Sequence, residues 1–538
     1  MTVIGEHGWA RVESVRRLAT STLVTDMATA RGRAIPQANL RKYDDLYVVS
    51  DLHLGGRVGC EVFDSSEQLT ALIRWLCDRP SQRPVALVLN GDIVDFLAFP
   101  GAGYFNPDRA VEWLRSLDNP SAPTAQIFAS LRGFTSRANA HLIVLGGNHD
   151  IEFSLPDVQQ TLLDMVAGNE AARARVTIRV DGTGYACDVG GRSVLCVHGN
   201  DRDEWNVVDH EALRQFRRAA NLCLERHLEP NAGTRLVIDI MNPIKERLPF
   251  VDLLKPEDAM VPDILLSLDA ERRGLGIAQI VGPALNLINR KRGDARRIRN
   301  NRLGGDAAEH EDVPGPDSRW GDRECEGLFE QVEQDHRAGR TVRDVLRDSD
   351  GSLGAWDRIS IAFGIGRERS LRRALWDAWT QDEGFDPHTP DATFLALDAW
   401  VGKDVDILIA GHTHLEKHIT ECPNRPEGIY LNTGTWMRLI EIRPEHLEDA
   451  YFPQLISALT AKSMAELDDA NINGVKLVVR RRTVACVEVV PQTGRAYAGL
   501  RHVSETAASA VARGQHPFEE AIESDEWASA GPFLEAGL

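Results

Sequence analysis

No run of about 18 apolar residues occurs in this 538-residue chain, so no transmembrane helix is expected. The opening stretch MTVIGEHGWARVESVRRL lacks an apolar core of signal-peptide length, and no leader is expected either. Cysteine is sparse: Cys60, Cys77, Cys187, Cys196, Cys223, Cys325, Cys422 and Cys486 are dispersed and contain no C-x-x-C pair. That excludes a zinc knuckle and a small disulfide scaffold, leaves several as plain core thiols, and makes a reducing cytoplasm the expected location. Positive charge is short as well, with 61 Lys and Arg against 80 Asp and Glu and a net charge of −19. General nucleic-acid and anionic-membrane binders are approached through a positive field, so both are disfavoured. A phosphate substrate stays open, because bound metal ions would dominate the local field of such a site. No internal repeat is visible.

What is present is ordinary in bulk: 43% hydrophobic and 26% charged residues suit a soluble globular protein. The length implies several domains or one domain with large insertions. Near-continuous apolar strands are predicted at 46–49, 85–89 and 141–145, separated by helices at 66–78 and 123–139. That alternation is the mark of an α/β sheet buried on both faces. Shorter, antiparallel strands are expected at 176–180, 184–189 and 193–197, and strand chemistry resumes at 405–409, 428–431, 474–481 and 484–490. Between them helical periodicity dominates at 209–229, 261–271, 328–348 and 370–380, with a polar loop at 304–327. The division expected is an N-terminal extension at 1–43 with a helix at 12–28, core at 44–200 and 404–503, a helical insertion at 201–403, and a tail at 504–538.

Five short segments carry the chemistry: Asp51-Leu52-His53, Gly91-Asp92-Ile93-Val94-Asp95, Gly147-Asn148-His149-Asp150, His198-Gly199-Asn200 and Gly411-His412-Thr413-His414. Each comes after an apolar run that reads as a strand, and open α/β folds place their ligands at the carboxyl ends of strands. Carboxylates, an amide oxygen and imidazoles together suit Mn²⁺, Fe or Zn²⁺ better than Ca²⁺, which takes only oxygen. Two such ions about 3.5–4 Å apart can generate hydroxide at neutral pH and clamp an in-line displacement at phosphorus. Each residue also has a plainer reading. Asp51 and Asn148 can be turn residues, and Gly91, Gly147 and Gly411 can relax tight turns. Asp150 reads as a helix N-cap ahead of support for the site, while Asp201, Asp203 and His210 read as hydrated residues opening the insertion, ahead of a place lining the pocket.

In order and content the five segments resemble the calcineurin-like metallophosphoesterase superfamily, over roughly residues 44–200 and 404–500. The resemblance implies a four-layer αββα sandwich and an enzyme with two divalent metals, Mn²⁺ first and Fe, Zn²⁺ or Ni²⁺ as alternatives. It implies that Asp51, His53 and His414 bind one metal, that Asn148, His198 and His412 bind the other, and that Asp92 bridges them. A metal-bridging hydroxide would be the nucleophile. His149, not a ligand, would stabilise the transition state or protonate the leaving oxygen, with Asp95 holding it in orientation.

The substrate is less legible. Ser/Thr protein phosphatases of the superfamily carry Arg-Gly where this chain has Phe96-Leu97, which counts against that branch. The Ser50-to-Gly55 segment and the His198-Gly199-Asn200-Asp201 turn are closer to the bacterial UDP-2,3-diacylglucosamine pyrophosphatase group, whose members are about half as long. A small phosphoester, a nucleotide or a pyrophosphate is therefore expected. A nuclease or phosphodiesterase acting on nucleic acid is the runner-up, ahead of a non-catalytic scaffold. Seven basic residues at 290–302 could steer a phosphorylated ligand, although a solvated basic face is the favoured reading. The apolar stretches 248–254 and 261–268 could form a lid or grip a lipid tail, with ordinary packing favoured.

Overall fold

A computed structural model describes residues 40–254 apart from 204 and 246–249, residues 372, 375 and 376, and residues 385–519 apart from 460 and 462. The helices expected at 12–28, 261–271 and 328–348, the loop at 304–327, the basic stretch 290–302 and the apolar run 261–268 lie outside the described residues. The chain divides into two units, Met1–Arg41 and Lys42–Leu538, and the second holds the sandwich and its site.

In chain order the strands are β1 (Arg41–Tyr43), β2 (Asp45–Val49), β3 (Val85–Asn90), β4 (Ala140–Leu145), β5 (Val176–Arg179), β6 (Tyr185–Val189), β7 (Arg192–Cys196), β8 (Ile407–Ala410), β9 (Glu416–Ile419), β10 (Ile429–Thr433), β11 (Leu439–Ile440), β12 (Asn471–Ile472), β13 (Val475–Lys476), β14 (Val478–Val479), β15 (Thr483–Val489) and β16 (Ala496–His502). Two six-stranded sheets result, ordered β16-β15-β2-β3-β4-β5 and β1-β6-β7-β8-β10-β9. The run from β2 to β5 is parallel, and so are the β7–β8 and β8–β10 pairs.

The two-residue side-chain period of each strand builds the layers. Tyr47, Val49, Leu87, Leu89, Leu142 and Val144 face a core shared with the helices Ser66–Cys77, Ala125–Ser136 and Pro156–Val166. Their neighbours Leu46, Val48, Ala86, Val88, Ile143 and Leu145 meet Cys187, Val194, Cys196, Ile407 and Ile409 of the facing sheet. On the far side of that sheet, Leu408, Ala410 and Tyr430 pack against Phe394 and Leu397 of the helix Ala392–Trp400. Helix, sheet, sheet and helix thus stack as the four-layer sandwich. The last helix falls inside the 201–403 span yet forms an outer layer of the sandwich.

Several expectations change. The strand expected at 176–180 is parallel to β4, because a crossover through the helix Pro156–Val166 precedes it. The helix expected at 209–229 is His210–Asn221 and stops there; Leu222 and Leu224 beyond it are exposed, with no apolar surface to continue against. The single strand expected at 474–481 is the two fragments β13 and β14. Strands β9 and β16 were not expected; Glu416 in β9 and His502 in β16 are charged or polar residues that pair with each other. Residues Phe250, Val251, Leu253 and Leu254 take the packing reading, buried against Ile440, Leu447, Phe452 and Leu455. Among the described residues no helix is long and apolar enough to cross a membrane.

Candidate active site

Asp51, Asp92 and Asn148 lie just past the carboxyl ends of β2, β3 and β4 on one sheet, while His198 and His412 lie just past β7 and β8 on the other. Hydrogen bonds lock these two rims together: Asn90 Nδ2 donates to the carbonyl of Val197 (2.8 Å), Thr435 Oγ1 to that of Asp51 (2.7 Å), and the amide of His412 to Asp51 Oδ2 (3.0 Å). Carboxylates and imidazoles from five loops therefore meet at one point. Asp51, His53, Asp92 and His414 form one group of potential ligand atoms, and Asp92, His198 and His412 form another. Asp92 is common to both, with Oδ2 3.2 Å from His198 Nε2 and 3.8 Å from His53 Nε2. Across the first group, His414 Nε2 lies 3.3 Å from Asp51 Oδ1 and 3.2 Å from His53 Nε2.

Burial and charge decide what this cluster needs. Asp51, Asp92 and Asp95 are all buried, which by itself favours their neutral forms. The surrounding imidazoles outweigh that burial, holding Asp51 near 2 and Asp92 and Asp95 well below the usual carboxylate range. In return, and against the effect of their own burial, His149 is pushed up to about 9 by Asp95 and Asp92, and His198 to about 10 mainly by Asp92. Such concentrated negative charge among buried side chains calls for cations. One buried oxygen fits that demand: among the described residues Asn148 Oδ1 makes no hydrogen bond, and His198 Nε2 meets only Asp92. A mixed O/N set with unengaged lone pairs fits a divalent transition metal.

Backbone strain marks the same residues. Asp51, His53, Asp92, His412 and His414 all adopt left-handed φ, between 48° and 73°. Non-glycine residues rarely do so, and such strain clusters at functional sites where surrounding structure over-determines it.

A calcineurin-like phosphoesterase family model matches residues 45–247. Residues 45–247 belong to that family. No curated protein matches the chain. The matched span holds four of the five segments, and the tertiary fold brings the fifth, Gly411 to His414, back against Asp51 and His53.

Around this cluster, Asp95 bonds two rings at once, His149 Nδ1 at 3.0 Å and His53 Nδ1 at 3.4 Å. Asp150 corrects the N-cap reading. It stands at the start of the short helix Ile151–Ser154 but makes no capping bond; its oxygens accept instead from the amides of Gly147 (2.6 Å) and Ile93 (2.7 Å). It thereby ties the Asn148 loop to the Asp92 loop, and burial beside Asp92 raises it to about 7. Asp203 also departs from its hydrated reading, since its Oδ2 lies 3.0 Å from His412 Nε2. Asp201 and His210 pair with each other, at 3.6 Å. Gly91 keeps its turn reading with φ 87°, whereas for Gly147 and Gly411 that reading gives way to close approach. A Cβ on Gly147 would meet Asp92 and His198, and one on Gly411 would meet Ser50 and Asp51. Gly147→Ala is therefore expected to lose about 1–3 kcal/mol of stability through overpacking and to bind metal poorly, as denaturant melts and metal analysis would show. An unchanged metal content would contradict this geometry.

Proposed function

We propose that the chain is a hydrolase that cleaves phosphoesters with two divalent metal ions. One observation carries this reading: Asp92 belongs to both groups of potential ligands, which is what a shared, bridging carboxylate requires. Asp51, His53 and His414 would hold one ion and Asn148, His198 and His412 the other, with Asp92 between them. Mn²⁺ is the first choice for this mixed O/N donor set, and Fe, Zn²⁺ and Ni²⁺ are the alternatives. The ions would supply Lewis acidity and a water acidic enough to attack at neutral pH. The protein's own proton chemistry falls to His149, whose Nδ1 is held by Asp95 and whose Nε2 would serve the leaving oxygen.

The retained ligand set favours catalysis over a scaffold role. The substrate proposed is a small phosphoester, a nucleotide or a pyrophosphate, with nucleic acid as the second reading. Phe96 is fully buried and packs on Phe153 (ring centroids 5.7 Å apart), so this position offers no cation to a phosphoprotein. Purified protein with Mn²⁺ should hydrolyse generic aryl phosphate mono- or diesters. A panel of mononucleotides, cyclic nucleotides, nucleoside diphosphate sugars, phospholipids and single-stranded DNA would then rank the classes. No turnover on any of them, with any of the four metals, would defeat the proposal.

A further inference from the structure

We propose that Asp203, at the root of the 201–403 insertion, is a positioning residue that fixes how His412 meets one metal of the pair. The inference rests on the proposed ligand assignment, in which Asn148, His198 and His412 share that metal. Those three residues come from loops of the core, whereas Asp203 lies five residues beyond His198, where the chain leaves the sandwich. Its carboxylate is fully engaged. Oδ2 meets His412 Nε2 at 3.0 Å and accepts from Asn206 Nδ2 at 2.7 Å, while Oδ1 accepts from the amide of Trp205 at 2.9 Å.

A neutral imidazole has one N–H and one lone pair, so a carboxylate beside one nitrogen decides the role of the other. With the proton held at Nε2 by Asp203, Nδ1 is left as the nitrogen that binds metal. Asn206 extends the device to a second ligand. Its Oδ1 faces Asn148 Nδ2 at 3.5 Å, which turns the amide so that the buried, unpartnered Asn148 Oδ1 is its free donor. Asn200 Nδ2 in turn donates to the Asn206 carbonyl at 3.0 Å, fixing the turn from which both contacts are made. The other metal's residues are steered from the core, His53 by Asp95 and Asp51 by the His412 amide. Among the described residues, support from the insertion therefore falls on one metal of the two.

The test is Mn²⁺ binding to the full-length protein, with chelator competition and the electron paramagnetic resonance of coupled Mn²⁺ pairs as readouts. Asp203→Ala should weaken one of the two sites by about 10- to 100-fold, leave the other unchanged, and lose the coupled-pair signal at limiting metal. Asp203→Asn keeps an acceptor for the Nε2 proton and should recover part of the loss, which also serves if the alanine variant does not fold. Equal weakening of both sites, or two wild-type sites in Asp203→Ala, would overturn the inference while leaving the hydrolase reading intact. A wild-type protein that binds no divalent ion would instead overturn the hydrolase reading itself.

Discussion

Asp92→Asn should lower turnover of an aryl phosphate in Mn²⁺ on the order of 10³-fold or more, with loss of at least one metal. The amide is almost the same shape, so packing survives and the loss reports on chemistry. Asp92 Oδ1 accepts from the His149 amide at 2.8 Å, and its Oδ2 is the atom near both His198 and His53. An asparagine can keep one of these roles but has no second oxygen for the other. Removal of the charge has a second readout in metal-free protein. His198 is raised from 6.5 to about 10, with Asp92 the main attraction against burial. A raised imidazole stabilises the fold below its unfolded value of about 6.5, and that contribution fades as pH climbs through about 10. In Asp92→Asn the His198 titration should move down, and the pH dependence of metal-free stability above 6.5 should flatten. If wild type and variant turn over equally and hold equal metal, Asp92 is not the shared ligand.

His149→Ala should separate catalysis from metal binding. It lies beside the cluster but outside both groups that contain Asp92, and its partner is Asp95. Both metals should remain, with affinities close to wild type, while turnover falls on the order of 10²-fold or more, as expected for loss of a general acid. The fall should be smaller for substrates whose leaving group needs no proton, such as aryl phosphates with strongly acidic phenols. Lost metal would assign His149 as a ligand; a uniform fall across leaving groups would assign it to binding the phosphoryl group.

Legibility divides along range. Strands β2, β3 and β4 are visible in the sequence because they are apolar on both faces, and the three loops after them sit where strand ends predict. Asp203 and Asp150 depart from their sequence readings for a shared reason. Each stands at a position whose local pattern offers a routine use, a hydrated turn or a helix cap, and each is diverted by a partner far along the chain. Asp203 meets His412, 209 residues away, and Asp150 meets the amide of Ile93, 57 residues away. Strand β9 is hidden because Glu416, Lys417 and His418 read as surface residues. In the fold Glu416 is buried and bonded to Thr483 and His502 from the other sheet.

The sequence by itself determined which residue types could carry the chemistry, because donor atoms are a property of side chains and the order of five segments is written in the chain. It also determined the alternation of strands and helices, since burial on two faces leaves a continuous apolar run. The tertiary structure places Asp92 in both groups of potential ligands, as the resemblance implies, and it alone decided that Asp95 serves two rings and that the insertion's root reaches His412 and Asn148. Those facts depend on distances between loops of two different sheets. Only the packing of β2, β3 and β4 against β7 and β8 fixes such distances.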